Sequence, residues 1–224
     1  MPITEAALLL SSISGEVPPA LRDLGVAAIA IQGEWCRINA PWLTEDRGTA
    51  LFQELENPGI ILITAHWDSI EQHHACIASP ENQKIIVELV PHLDAAAVKP
   101  RHIDGLHVFC ASESEEGLIP ALKAPILSVT IWIVRSENKA LFEQTLAQVK
   151  GDLDTATMPY RHRGGWMIEK DDDKPDAEHY VMVGGLESAD ENVAFAKTEA
   201  LREHYRTLSP LALDVETKHY KRIA

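Results

Sequence analysis

Basic residues are scarce in this 224-residue chain. Lys and Arg number 20 against 34 Asp and Glu, giving a net charge of −14. Such a surface repels phosphate backbones and anionic headgroups, which argues against nucleic-acid and membrane partners. Long hydrophobic runs are missing too: none approaches the roughly 20 residues of a membrane span. Ala6–Leu10 is apolar but short, is preceded by Glu5 and has no basic region before it, so it does not read as a secretory signal. Cysteine is down to three, Cys36, Cys76 and Cys110, an odd number at no ligand-like spacing. They read as reduced, buried thiols in a cytoplasmic protein. Cys-x-x-Cys, His-Glu-x-x-His, Gly-x-Ser-x-Gly and phosphate-cradling loops are all absent, so no metal, haem or flavin is expected.

What is present is an ordinary globular composition, 46% hydrophobic and 24% charged, long enough for one large domain or two small ones. No segment is of low complexity. The acidic run Asp171–Asp173, followed by Lys174-Pro175-Asp176, reads as a solvated hairpin tip.

Sliding the chain against itself by 119 positions is informative. Ile60–Trp67 then falls on His179–Leu186, Asp68-Ser69 on Glu187-Ser188, Leu89 on Leu208 and Pro91 on Pro210, without a gap. Each copy gives a strand, a Ser at the turn, an acidic residue, an apolar helix and a Leu-x-Pro stop. Ser69 can cap the first of these helices, with Glu71 in its first turn. A break near Ser79-Pro80 restarts the helix at a proline, and Pro91 ends it. Further expected elements are a strand near Ala6–Ile13, a helix from Pro18 to about Gln32 and a strand over Arg101–Phe109. In the second half they are a strand over Ile126–Val134 and a helix capped by Ser136. A hairpin of Tyr160–Lys170 with Glu178–Leu186 follows, then a helix over Asn192–Leu208 and a strand over Val215–Ile223. Trp35–Leu55 carries no clear pattern. The order β-α-β-β-α-β is the ferredoxin-like unit. The expectation is an α+β protein of two such units, residues 1–120 and 121–224, forming a pseudo-dimeric α+β barrel within one polypeptide, as a monomer or a homodimer.

The stretch from Trp67 through Asp68, Ser69, His73 and Ser79 to Pro80 resembles the strand-to-helix signature of the antibiotic-biosynthesis-monooxygenase group of dimeric α+β barrels. Leu55-Glu56-Asn57-Pro58 is similar to the turn before that strand. The second half departs from the pattern, with Leu186 in place of the tryptophan and Asn192 in place of His73. The resemblance implies a tandem-repeat member of that group: a cofactor-independent enzyme acting on an aromatic or polyketide-like small molecule of secondary metabolism. Monooxygenase chemistry is the first expectation. Cyclisation, decarboxylation and a non-catalytic ligand-binding or structural barrel stay open.

Two sets of site residues follow. His66 and His73 are candidate bases, because a histidine can deprotonate a substrate whose anion is delocalised. Trp67 is a candidate cavity wall. His66 and Trp67 occupy opposite pleat faces, so only one of them can line a given cavity. The pocket is expected between sheet and helices of the first half. The competing set is Arg161, Arg163 and Trp166, which can orient an anionic aromatic ligand by guanidinium forks and indole stacking; the alternative for it is an edge strand with Trp166 in the core. His102 and His107 are five residues apart on a strand, on opposite faces, which argues against a shared role.

Overall fold

The computed structural model of the chain describes residues 1–13, 15–41, 49–94, 98–105, 108–109, 119–170, 174–188, 190 and 194–224. The chain divides into two compact units. One is Met1–Leu106 together with Tyr220–Ala224, the other His107–His219.

The first unit contains β1 (Ile3–Leu10), α1 (Pro19–Asn39), β2 (Ala50–Glu54), β3 (Ile60–Trp67), α2 (Ile70–Ile77), α3 (Pro80–Leu89) and β4 (Lys99–Asp104). Strand order is β4-β1-β3-β2, with antiparallel pairing of β1 to both β3 and β4 and of β2 to β3. β1 begins three residues earlier than its apolar run suggests, because Ile3, Glu5, Ala7 and Leu9 alternate toward the helices and a lone carboxylate does not break the period. α1 runs on to Asn39, well past Gln32, and β2 fills part of the unpatterned stretch; residues 42–48 lie outside the described residues. Proline at the first helical position starts α1 and α3 without the loss of a needed N–H. The Ser69 hydroxyl accepts the Gln72 N–H, capping α2 as expected, and the Ser79 hydroxyl accepts the Asn82 N–H, so that it caps α3. β3 is buried from Ile61 to Trp67 on both faces. Leu21, Leu51, Ile61, Ile85 and Leu89 form the core between sheet and helices. Tyr220–Arg222, from the end of the chain, pair with Phe52–Glu54 of β2.

The second unit has β5 (Ile126–Arg135), α4 (Lys139–Ala156), β6 (Arg163–Trp166), β7 (Ala177–Leu186), α5 (Glu199–Leu208) and β8, which starts at Ala212 and runs to Arg222. Strand order is β8-β5-β7-β6. α5 ends at Leu208 and is capped by Thr198, whose hydroxyl accepts the Leu201 N–H. These are the positions 119 residues after Leu89, Ser79 and Asn82. Ser136 does not cap α4: it opens a 3-10 turn, and its hydroxyl donates to the Asp176 carbonyl and to Glu178 instead. The expected Asn192 start of the last helix, the acidic run Asp171–Asp173, His107 and Cys110 all lie outside the described residues. Trp132, Phe142, Leu153, Trp166 and Leu208 anchor the core of this unit. Among the described residues no helix is long and apolar enough to cross a membrane.

Candidate functional site

A single carboxylate organises the interior of the first unit. Glu5 is paired in register with Ala65 of β3 and with His102 of β4, so it faces the helices beside His102 and one pleat from Trp67. α2 starts three residues after β3 ends and carries His73 and Cys76 on its buried side. The result is a five-residue cluster. Gln32 Nε2 and Trp67 Nε1 each donate to Glu5 Oε2 at 2.9 Å. His73 Nε2 lies 3.2 Å from the same oxygen, and His73 Nδ1 is 2.8 Å from His102 Nε2. The His73 ring stacks on Trp67 at 4.8 Å between centroids, and Trp35 meets the edge of Trp67 at 6.1 Å. Glu5, His73 and His102 are 5, 2 and 3% exposed.

Gln32 and Trp67 donate to Oε2 and His73 Nε2 lies 3.2 Å from it, while Oε1 takes no hydrogen bond among the described residues. Oε1 is therefore the oxygen open to a ligand in the cavity that Glu5 lines. That cavity, ≈170 Å³, lies between the sheet and α1, α2 and α3. Glu5, His73, Gln32 and Asn82 supply its polar surface, and Ala7, Ile63, Ile85 and Leu89 are among its apolar walls. Burial lifts the Glu5 carboxyl from its ordinary range to about 7, against the opposing pull of Trp67, Gln32 and His102. When Glu5 is ionised, a proton on His73 Nε2 faces its Oε2; neutral His73 then accepts at Nδ1, and His102 Nε2 is the donor. The relay is directional, with the carboxylate at the cavity end. The thiol of Cys76 is pushed up to about 12, chiefly by burial, with Cys36 and Glu5 adding to it, so it is no nucleophile here.

The structure brings His73 and Trp67 together, and with them Glu5, Gln32 and His102, which sequence reasoning missed. Glu5 leaves a signal: it is the one charge on the inward period of an otherwise apolar strand. His102 was set aside because it was weighed against His107 rather than against another strand. His66 is buried, but the pleat turns it to the opposite face of β3, across from Thr4, away from the carboxylate. In the second unit Trp166 is in the core: it donates to Glu143, carries Lys139 over its ring at 4.5 Å and meets Phe142 and Tyr180 edge-on. Arg161 is exposed, and Arg163 sits on β6, at the end of the strand order. Arg161 precedes β6, and Arg163 and Trp166, three residues apart on that strand, lie on opposite faces. Among the described residues no group of three or more His, Cys, Asp or Glu is placed to hold a metal ion.

The fold is a two-unit α+β fold in which each unit is ferredoxin-like, and it is shared over the full length by solved structures of low sequence identity. Over the full length the chain is similar to a candidate monooxygenase from Fusobacterium nucleatum, with a TM-score of 0.65, 7% identity and coverage of 100% of this chain and 93% of that one. A candidate monooxygenase from Lactobacillus acidophilus gives 0.58 and 11%, covering 99% and 93%. An anthrone oxidase-like protein gives 0.56 and 11%, covering 100% and 92%. At these identities the likeness is one of fold. No family model and no curated protein matches the sequence.

Proposed function

We propose that the protein is a cofactor-independent monooxygenase-type enzyme acting on an aromatic or polyketide-like small molecule with an acidic C–H or O–H, and that Glu5 is its base. The observation that carries this reading is the Glu5 carboxylate: buried, held by two donors on one oxygen with His73 beside them, and lining an apolar cavity. The names of the similar structures point the same way. A cavity of ≈170 Å³ admits one aromatic ring, since an apolar cavity of about 150 Å³ holds benzene, and it is open on one side, where the further rings of a larger substrate extend. In the reaction, Glu5 Oε1 removes a proton from an activated methylene of the substrate, leaving a delocalised carbanion. Molecular oxygen takes an electron from that anion and recombines at the same carbon to give a hydroperoxide. The peroxide takes the stored proton back from Glu5; Glu5 then removes the second hydrogen of that carbon as the O–O bond breaks and passes it to the departing hydroxide, leaving a ketone and water. The step balances: one methylene group and one molecule of oxygen give one ketone carbonyl and one water. His73 lies against the carboxylate's inner oxygen with His102 behind it, and the pair restores the charge state of Glu5 between turnovers, while Trp67 fixes the His73 ring by stacking.

The test is oxygen uptake by the purified chain with a panel of anthrones and hydroquinones and no added cofactor. Glu5→Gln should lower kcat by 100-fold or more, in line with the usual contribution of a general base of about 10²–10⁴. His73→Ala should lower it by a smaller factor. Turnover without oxygen uptake would favour cyclisation or decarboxylation from the same base. Full activity in Glu5→Gln would sink the assignment.

A further inference from the structure

The second unit holds a larger cavity, ≈290 Å³, whose lining includes His162, Thr130, Thr217, Tyr205, Met182 and Phe195. No Asp, Glu, Lys or Arg lines it among the described residues. We propose that it is a separate binding site for a neutral hydroxylated aromatic molecule of one or two rings, with His162 Nε2 accepting the ligand's O–H.

His162 is oriented from behind. Its backbone N–H donates to Asp154 Oδ1 at 2.8 Å, and its Nδ1 lies 3.5 Å from the same oxygen. That contact is too long for a hydrogen bond, and Nδ1 has no hydrogen-bond partner among the described residues, but the anion on that side favours the ring proton at Nδ1. Lys150 Nζ donates to Asp154 Oδ2 at 2.6 Å, which holds the carboxylate ionised and in place. Nε2 is thus the acceptor nitrogen. It lies over Gly184, where an added Cβ would come within 2.7 Å of it. The ring packs on the Gly184 backbone, and a side chain at that position would displace it.

A phenol also needs a donor for its own oxygen, and the opposite wall supplies one. Tyr205 Oη and Thr217 Oγ1 are 2.8 Å apart, and Thr217 Oγ1 and Thr130 Oγ1 2.9 Å. Three linked hydroxyls have more protons than internal acceptors require, so one can point at a ligand oxygen. Phe195 stacks on the His162 ring at 6.0 Å between centroids and, with Met182, offers an apolar face to a flat ligand. An uncharged wall disfavours a carboxylate or phosphate, which would be desolvated without a counter-ion. The volume is about twice that of a cavity that holds benzene, which sets the limit at two rings. This site shares no residue with the Glu5 cluster, so the proposal stands or falls apart from the one above.

The experiment is calorimetric titration of the whole chain with 2-naphthol, 2-methoxynaphthalene and 2-naphthoate, together with 13C–1H spectra of the histidine ε1 positions. The naphthol should bind with a Kd on the order of 10–100 μM. The ether and the carboxylate should bind at least ten-fold more weakly. The His162 resonance should move on saturation while those of His73 and His102 stay in place. His162→Phe keeps the stack on Phe195 but removes the acceptor, and should weaken binding about five-fold or more. Thr217→Val, which keeps the volume, should do the same and carries the test if His162→Phe does not fold. Absence of naphthol binding up to millimolar concentration overturns the proposal. So do shifts confined to His73 and His102, equal affinity for the ether, or unchanged affinity in Thr217→Val.

Discussion

The most exacting prediction concerns the charge state of Glu5. Its carboxyl is raised from 4.5 to about 7 in the folded protein. A raised acid favours the folded state fully only below its unfolded value: as pH climbs from about 4.5 to 7, the unfolded chain ionises freely while the folded one does so with difficulty. Stability therefore falls across that window by about 3 kcal/mol and is level above it. The groups that face this carboxylate are His73, His102, Gln32 and Trp67, with Cys76 close by, and the hydrogen-bond donors among them keep the rise from being larger. Glu5→Gln removes the ionisation. The stability difference between variant and wild type should grow in favour of the variant by about 3 kcal/mol between pH 4.5 and 7.5. Exchange of the β1 and β3 amides is the suitable readout, because it reports the first unit alone. In protein labelled at the glutamate carboxyls, the Glu5 13C resonance should titrate near 7, and Trp67→Phe, which deletes one donor to Oε2, should raise that midpoint by about one pH unit. If Glu5 acts as the base, kcat should rise through the same midpoint. A Glu5 midpoint below 5, or parallel stability profiles for wild type and Glu5→Gln, would refute the reasoning.

Three further outcomes are expected. Gly184→Ala places a Cβ 2.7 Å from His162 Nε2 and 2.8 Å from Cδ2, so the ring must shift, at a cost of about 1–3 kcal/mol in thermal or urea melts and with a displaced His162 ε1 resonance. Asp154 is brought down to about 2, because the hydrogen bonds from His162 and Lys150 outweigh the opposing effect of burial. Its contribution is present above about pH 4 and lost as pH falls toward 2, so Asp154→Asn should cost about 1–2 kcal/mol at pH 7, after allowance for solvent screening, and almost nothing at pH 2 in urea titrations. Ser79→Ala removes the cap of α3 and the hydroxyl bond to the Cys76 carbonyl, which should cost about 1 kcal/mol in the same assay.

Much of the fold was legible because it is written in local patterns. A continuous apolar run rich in β-branched residues marks β3, a serine cap and an acidic first turn mark α2, and a Ser-Pro pair marks the restart at α3. Thr198 and Leu208 repeat the positions of Ser79 and Leu89. What escaped was set by contacts distant in sequence. β2 is short and lies in a stretch without a periodic signal; it is a strand because β3 pairs with it. The Ser136 hydroxyl turned to Asp176 and Glu178, which arrive only when the hairpin folds back, and no local rule anticipates that competition.

The candidate site divides in the same way. The sequence alone determined that His73 follows a strand ending in Trp67 by one helical turn, and that His66 and Trp67 must part company, since pleat and helix periods are properties of the backbone. It also determined an acidic chain with no run long enough to span a bilayer. Only the tertiary structure decided which groups meet. Glu5 and His102 lie 97 residues apart and become neighbours through the antiparallel register of β1 and β4. Gln32 reaches the same oxygen from α1, and Trp166 withdraws into the core because Phe142 and Tyr180 close around it. A carboxylate in the middle of an apolar strand is an anomaly when read along the chain; the burial that raises its pKa and the donors that keep it ionisable exist only in three dimensions.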